Sequence, residues 1–228
     1  MLDFDGTLSE IVARPELARP AEGVRQVLGA LTSRYRLIAV VTGRRTEEAA
    51  ALLGVPHVAV FGLYGFEDVA PELVTAAVPL VEAAARTVPE AWVEDKGASI
   101  AVHYRQAPDP PAARGALVLA LQPVATEAGL ELVEGKMVVE LVPRGRPMKG
   151  EAVERIAGEH DLEAILYAGD DLADIEAFRA LGRLAERGLT TIRVAVRGLE
   201  TPAELVDGAD VVVDGPGGLV ELLRGLGA

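Results

Sequence analysis

The stretch Leu37-Ile-Ala-Val-Val-Thr42 decides the fold class, because it is a continuous apolar run without polar alternation. A strand of this kind is buried on both faces, which is typical of a parallel sheet that helices cover on each side. Further runs have the same character, and we predict them as strands too: 58–61, 165–168, 192–196 and 211–213.

Helical patterns lie between these runs. Residues 21–34 and 150–160 place apolar side chains at helical spacing. They are Val24, Val27, Leu28 and Leu31 in the first segment, and Val153, Ile156 and Ala157 in the second. Alternating strands and helices predict an α/β fold with a doubly wound, mostly parallel, Rossmann-like sheet.

The middle of the chain differs from the rest. Residues 98–105 and 137–142 alternate between apolar and polar positions, which is typical of antiparallel strands with one covered face. Each follows a candidate strand that ends in a glycine turn, and each such pair follows a helical segment. We therefore expect residues 68–147 to form an inserted α+β cap domain, an antiparallel sheet with helices on one side. Residues 1–67 and 148–228 would form the core.

Composition excludes several classes of protein. The chain has 228 residues, of which 50% are hydrophobic, and a formal charge of −13, so it is not a disordered chain and nucleic acid is not its main partner. The absence of cysteine excludes a disulfide scaffold and a thiolate nucleophile. Residues 49–66 carry no formal charge, but their glycines and proline prevent a membrane-spanning helix. We expect a cytoplasmic monomer that acts on a small molecule, without a membrane partner.

The first chemical signal is Leu2-Asp-Phe-Asp-Gly-Thr-Leu8. Asp3 and Asp5 face the same side of an extended chain, because they are two residues apart. Such a pair can hold a hard cation, or one carboxylate can attack as a nucleophile while the other moves protons. The alternative is a solvated turn. Only two residues precede Asp3, so we predict a short first strand over residues 1–4.

Two further segments offer groups that bind anions. In Val40-Val-Thr-Gly-Arg44, Thr42, Gly43 and the following helix N-terminus provide donors, although an ordinary turn capped by Thr42 has the same pattern. Lys149 opens a helix in Pro147-Met-Lys-Gly-Glu151, where the helix dipole repels a cation. That placement indicates that Lys149 faces another anion, and the alternative is a solvated surface lysine.

The fourth segment is Tyr167-Ala-Gly-Asp-Asp-Leu-Ala-Asp174, with three acids around the end of a strand. A helix N-terminus also favours Asp, so this pattern has a purely structural interpretation. We favour a second arm of a divalent-cation site, because carboxylates converge readily around a cation.

In order and context, the four segments resemble the four motifs of the haloacid-dehalogenase-like phosphatase superfamily. The resemblance implies a phosphoaspartyl mechanism, with Asp3 as nucleophile and Asp5 as general acid/base. It also implies a phosphoryl group held by Thr42 and Lys149. The remaining residues implied in the core are Gly43 and Arg44 for substrate, and Asp3, Asp5 through its carbonyl, Asp170, Asp171 and Asp174 for Mg²⁺.

Two segments of the insert, Lys96-Gly-Ala-Ser-Ile-Ala-Val-His-Tyr-Arg105 and residues 134–145, look like the cap of trehalose-6-phosphate phosphatases. Ser99, His103 and Arg105 share one face of a predicted strand, and Glu140 is predicted on the neighbouring hairpin. With Lys96 they form a polar face suited to the hydroxyls of a sugar, although a plain exposed sheet face has the same pattern.

These resemblances predict a Mg²⁺-dependent phosphatase that acts on a sugar phosphate, with trehalose 6-phosphate as the first choice. The alternatives are phosphatases of sucrose 6-phosphate, mannosyl-3-phosphoglycerate or glucosylglycerol phosphate, and a catalytically silent sugar-phosphate sensor. One departure from the family pattern bears on the choice of sugar. Leu63 stands where that family usually has a polar residue.

Overall fold

A computed structural model of the chain describes residues 1–65, 71–145 and 148–227. The chain divides into two compact units, Met1–Gly65 with Pro147–Ala228, and Phe66–Arg146. The boundary that the sequence predicted between residues 67 and 68 lies outside the described residues, and so does the predicted end of the cap at residue 147.

Strands and helices follow each other along the chain. Within the described residues the strands are β1 (Ala39–Val41), β2 (Ala59–Phe61), β3 (Trp92–Asp95), β4 (Ile100–His103), β5 (Leu130–Gly135), β6 (Val138–Pro143), β7 (Ala164–Gly169), β8 (Thr190–Arg197) and β9 (Val211–Asp214). The α-helices are α1 (Val24–Leu31), α2 (Thr46–Leu53), α3 (Pro71–Ala85), α4 (Pro110–Glu127), α5 (Lys149–Glu159), α6 (Leu172–Glu186), α7 (Ala203–Asp207) and α8 (Gly215–Gly227). None of these helices is long and apolar enough to cross a lipid bilayer.

The first unit contains parallel strand pairs on either side of the N-terminal segment. β1 pairs with β2, and β7, β8 and β9 pair in that order. Leu2 forms parallel bridges to Val40 of β1 and to Ala168 of β7, so it joins the two halves. The predicted strand over residues 1–4 is reduced to this bridge, because the chain turns back after Phe4, whose carbonyl accepts the N–H of Leu8 at 2.9 Å.

Helices cover both faces of this sheet. Val194 and Val196 of β8 pack into a core cluster with α1 and α8. Ala195, between them, packs into a second cluster with α5 and α6. Because successive residues of a strand point to opposite faces, the two clusters lie on opposite sides of the sheet. The prediction of a doubly wound α/β core is therefore confirmed.

The second unit contains an antiparallel sheet in the order β3-β4-β6-β5. Its two hairpins are joined by the pairing of β4 with β6, in which Ala101 lies opposite Glu140. Ile100, Val102 and Leu141 point to one face and form a core with side chains of α3 and α4. The prediction of an α+β unit with helices on one side of an antiparallel sheet is confirmed.

Candidate active site

The carboxyl edge of the parallel sheet collects the polar residues that the sequence singled out in the core. Asp3 follows the Leu2 bridge, Thr42 follows β1 and Asp170 follows β7. Ends of neighbouring parallel strands meet at one edge, where open α/β sheets bind ligands. All three side chains are buried, as is Lys149 at the start of α5.

Lys149 lies between two carboxylates. Its Nζ donates to Oδ1 of Asp3 at 2.8 Å and to Oδ1 of Asp174 at 2.6 Å. Burial alone would lower the pKa of Lys149, but the charges of Asp174 and Asp3 outweigh it and raise the pKa well above its usual value. The side chain is therefore a buried cation next to Asp3. A lysine at a helix N-terminus indicated such an anionic partner, because the helix dipole repels a cation there.

Three carboxylates converge at this point. Asp3, Asp170 and Asp174 are buried, and one oxygen of each lies within 4.8 Å of the others. Burial raises the pKa of Asp3 well above its usual value, and the charges of Asp174 and Asp170 add to this effect against the opposing charge of Lys149. A hard divalent cation with oxygen ligands would offset that repulsion. The donor set therefore fits Mg²⁺.

Asp174 holds the neighbouring groups of the site through hydrogen bonds. Its Oδ1 accepts hydrogen bonds from Lys149 and from the hydroxyl of Tyr167, the latter at 2.7 Å. Its Oδ2 accepts the backbone N–H groups of Asp170 at 2.8 Å and Asp171 at 2.9 Å. Four donors thus surround one carboxylate, so its clearest function is to hold Lys149 and the loop that carries Asp170.

Tyr167 was not predicted as part of the site. It is fully buried in β7, and the sequence predicted it only as a strand residue. Burial first and the nearby charge of Asp174 second raise the pKa of Tyr167 well above its usual value, so it remains a neutral donor. The available signal was a hydroxyl inside an otherwise apolar strand, since a buried hydroxyl needs a hydrogen-bond partner.

Asp171 has a different position from the one predicted. It is the N-cap of α6, and its Oδ1 accepts the N–H of Leu172 at 2.6 Å. Its side chain lies outside the group of converging carboxylates formed by Asp3, Asp170 and Asp174. The first N–H groups of a helix lack partners within the helix. Asp171 accepts one of them, so its geometry is that of a helix cap.

Asp171→Ala is expected to lower the free energy of unfolding by about 1 kcal/mol, the usual effect of losing a helix cap. Mg²⁺ affinity should not change measurably. Urea unfolding gives the first quantity and titration calorimetry with Mg²⁺ the second. Asp171→Asn is the matched control, because asparagine also caps helices. Loss of Mg²⁺ affinity at unchanged stability would place Asp171 among the metal ligands instead.

The turn after Asp5 shapes the position of Asp170. Gly6 has a φ of +83°, and a Cβ at this residue would lie 2.1 Å from Oδ2 of Asp170. Only glycine allows both the backbone conformation and this close approach. The hydroxyl of Thr7, which was also not predicted, donates to Oδ1 of Asp170 at 3.2 Å.

Arg44 contacts Asp5 directly. Its Nε and one terminal nitrogen donate to the two carboxylate oxygens of Asp5, both at 2.7 Å, and Glu48 pairs with its other terminal nitrogen. Burial opposes the charge of Arg44, but Asp5 and Glu48 outweigh it and raise the pKa of the guanidinium. The structure thus pairs Arg44 with protein carboxylates. Gly43 has no side chain, and its backbone lies near the hydroxyl of Tyr64.

The second unit brings together most of the residues predicted for the cap. Ser99 donates to Oε1 of Glu140 at 2.6 Å, and Nζ of Lys96 lies 3.5 Å from the same oxygen. Arg105 differs from the prediction. β4 ends at His103, and Arg105 lies beyond the strand and donates to the carbonyl of Lys136 at 3.3 Å. The sequence predicted Ser99, His103 and Arg105 on one strand face, and of these three residues β4 itself contains His103.

Trp92 and Glu94 extend this polar face and were not predicted. Trp92 lies opposite His103 in the sheet, and the two rings stack with centroids 4.2 Å apart. Oε2 of Glu94 lies 2.7 Å from Nε2 of His103. Burial raises the pKa of Glu94, but the hydrogen bond with His103 and the charge of Lys96 outweigh it and lower the pKa. Both residues could have been predicted from the sequence. In a hairpin that pairs Trp92 with His103, Trp92 and Glu94 are two residues apart and lie on the same face as His103.

Comparison with known proteins finds matches over most of the chain. A family model described as trehalose-phosphatase matches residues 1–203. A trehalose-phosphate phosphatase of Mycobacterium avium is 35% identical over 202 residues, and the match covers 78% of this chain and 50% of that protein. A Mycobacterium tuberculosis protein named as an uncharacterized glycosyl hydrolase is 38% identical over 202 residues, and the match covers 79% of this chain and 15% of that protein. The chain thus spans half or less of these relatives.

Solved structures share the fold. The C-terminal domain of the C. albicans trehalose-6-phosphate phosphatase superposes with a TM-score of 0.81 at 22% identity, covering 99% of this chain and 91% of that one. A haloacid dehalogenase-like hydrolase from Bacteroides thetaiotaomicron superposes with a TM-score of 0.62 at 16% identity, covering 99% of this chain and 97% of that one.

Proposed function

Since the chain belongs to the trehalose-phosphatase family, we propose that it hydrolyses a sugar phosphate monoester, with trehalose 6-phosphate as the substrate and trehalose and phosphate as the products. The observation that carries this proposal is the buried group of Asp3, Lys149 and Asp170 at the carboxyl edge of the sheet. A carboxylate held by a buried ammonium, beside further carboxylates, suits the transfer of a phosphoryl group to an aspartate.

The proposed reaction has two steps. A carboxylate oxygen of Asp3 attacks phosphorus, the bond to the sugar oxygen breaks, and Asp5 gives its proton to that oxygen. Water then attacks the phosphoaspartate, Asp5 takes a proton from the water, and phosphate leaves with the Asp3 carboxylate restored. Lys149 and Thr42 hold the phosphoryl oxygens through both steps.

We assign Mg²⁺ to the carboxylates of Asp3 and Asp170 together with the backbone carbonyl of Asp5. Asp174 supports this set through its hydrogen bonds to Lys149 and to the N–H of Asp170. When bound, the ion neutralises charge between the phosphate and the carboxylates.

We assign the sugar hydroxyls to the polar face of the second unit. Glu140 and Glu94 provide charged acceptors there, and Lys96 provides a charged donor. Charged groups of both signs beside the stacked ring of Trp92 suit a sugar, which presents hydroxyls along its edge and an apolar surface on its face.

A phosphate-release assay over a panel of esters tests the proposal. The panel contains trehalose 6-phosphate, sucrose 6-phosphate, mannosyl-3-phosphoglycerate, glucosylglycerol phosphate and para-nitrophenyl phosphate, each with Mg²⁺ or with EDTA. We expect the highest kcat/KM for trehalose 6-phosphate. A higher kcat/KM for another ester would replace the substrate, and binding without phosphate release would make the chain a sensor.

Glu140→Ala should reduce the kcat/KM for trehalose 6-phosphate by roughly 10- to 150-fold, because sugar hydroxyls lose a charged hydrogen-bond acceptor. Hydrolysis of para-nitrophenyl phosphate should change little, since this ester has no sugar. Glu82→Ala, on the exposed surface of α3, is a control that removes the same charge elsewhere in the unit. Equal losses on both substrates would mean that Glu140 acts on the chemistry or the fold.

A further inference from the structure

Arg44 is held on all sides by groups of the protein. Besides its two bonds to Asp5 and its pairing with Glu48, a terminal nitrogen donates to the carbonyl of Pro15 at 3.0 Å. Its guanidinium carbon lies 5.4 Å from the ring centroid of Phe4. Four donor contacts and an aromatic face therefore set both the position and the plane of this side chain.

The pair of Arg44 and Asp5 is asymmetric. The side chain of Arg44 is 7% exposed, whereas that of Asp5 is 36% exposed. Glu48, four residues after Arg44 and in the first turn of α2, pairs with the guanidinium and helps to fix it. Arg44 is thus the buried member of the pair, and Asp5 is the member that is exposed to solvent.

Four of the five N–H donors of Arg44 are turned to carboxylates and a carbonyl, so a substrate phosphate would have to displace these acceptors to reach those four donors. Asp5 keeps its capacity to act, since each carboxylate oxygen has two lone pairs and Arg44 uses one on each. The hydrogen bonds of Arg44 therefore suit it to hold Asp5 rather than to bind the substrate phosphate.

We propose that Arg44 is a positioning residue, which holds the Asp5 carboxylate in the orientation that transfers a proton to the departing sugar oxygen. The inference rests on the proposed function and replaces the substrate-binding role that the sequence suggested for Arg44. Proton transfer requires a short, aligned hydrogen bond, and a bidentate arginine fixes the plane of a carboxylate as no other side chain does.

The leaving group provides the test. A sugar oxygen needs a proton as its bond to phosphorus breaks, whereas para-nitrophenolate leaves without one. The kcat/KM reports the steps through formation of the phosphoenzyme, so only the sugar ester depends on Asp5 in this parameter. The second step needs Asp5 for both esters, because water must lose a proton.

We expect Arg44→Lys to lower the kcat/KM for the sugar ester by about 10²-fold, within the range of general acid catalysis. Its kcat/KM for para-nitrophenyl phosphate should be unchanged, while kcat falls and a burst of para-nitrophenol appears. Lysine keeps the charge but not the planar fork. Arg193→Lys is the matched control, because Arg193 forms a similar bidentate pair with Asp210 far along the chain, and it should leave both esters unaffected.

A double-mutant cycle excludes a merely structural role. In an Asp5→Asn background, Arg44→Lys should cause no further loss on the sugar ester, because Arg44 acts through Asp5. Burst amplitude counts the folded, active fraction. Equal losses of kcat/KM on both esters, additive losses in the cycle, or no loss at all would each overturn the inference. Failure of the wild type to hydrolyse any ester would overturn the proposed function itself, and this inference with it.

Discussion

Replacing Asp3 with asparagine is expected to lower turnover by about 10⁵- to 10⁶-fold, the range seen when an enzyme loses its nucleophile. An amide has nearly the shape of a carboxylate but is a far poorer nucleophile, so no phosphoenzyme forms. The fold should persist, since the amide oxygen can still accept the Lys149 hydrogen bond and Asp174 remains as the charged partner.

Acid-quenched digests provide the direct measurement for Asp3→Asn. Wild-type protein should yield a phosphorylated peptide that contains Asp3, and the variant should yield none. Asp5→Asn serves as the control, because it keeps the nucleophile and should accumulate phosphoenzyme from para-nitrophenyl phosphate. Turnover by Asp3→Asn within about tenfold of the wild type would refute the nucleophile assignment.

Asp170→Ala is expected to abolish Mg²⁺ binding and to lower turnover by about 10³-fold. A substrate phosphate beside Asp3 is an anion facing an anion, which costs about 4 kcal/mol for a pair at 4 Å and an effective dielectric constant of 20. A free-energy cost of that size corresponds to about 10³ in rate. Wild-type protein in EDTA should show a loss of the same order.

Restoring the metal separates Asp170 from a structural residue. Adding Mg²⁺ back should rescue the chelated wild type but not Asp170→Ala. Asp171→Ala, the neighbouring helix-cap variant, should respond to Mg²⁺ like the wild type, because its side chain lies outside the group of converging carboxylates. Full activity of chelator-stripped wild type would show that the reaction needs no divalent cation.

The sequence was sufficient for the fold class, because parallel and antiparallel strands differ in periodicity over a few residues. The unbroken run that contains β1 and the alternation around β4 are local signals, and both were interpreted correctly. The reduction of the predicted strand over residues 1–4 to a single bridge was not foreseen, because it depends on a turn in which the carbonyl of Phe4 accepts the N–H of Leu8.

In the candidate site, too, residues with a local sequence signal could be predicted, and contacts between distant residues could not. Lys149 could be identified because its charge conflicts with a helix N-terminus, which is a local property. The pairing of Arg44 with Asp5 spans 39 residues and leaves no local trace. Asp171 and Asp174 looked equivalent in the sequence, yet the geometry of the α6 N-terminus turns one to its own helix and the other to Lys149.

The bridge at Leu2 imposes an order of events on the growing polypeptide. Leu2 pairs with Ala168 across more than two-thirds of the chain, so this edge of the sheet stays open on the ribosome until β7 has emerged. The strands β3 to β6 of the second unit leave the ribosome before β7. A polypeptide interrupted between Lys149 and Asp170 therefore carries Asp3 and Lys149 but lacks Asp170 and Asp174, so the group of converging carboxylates can form only when synthesis is well advanced.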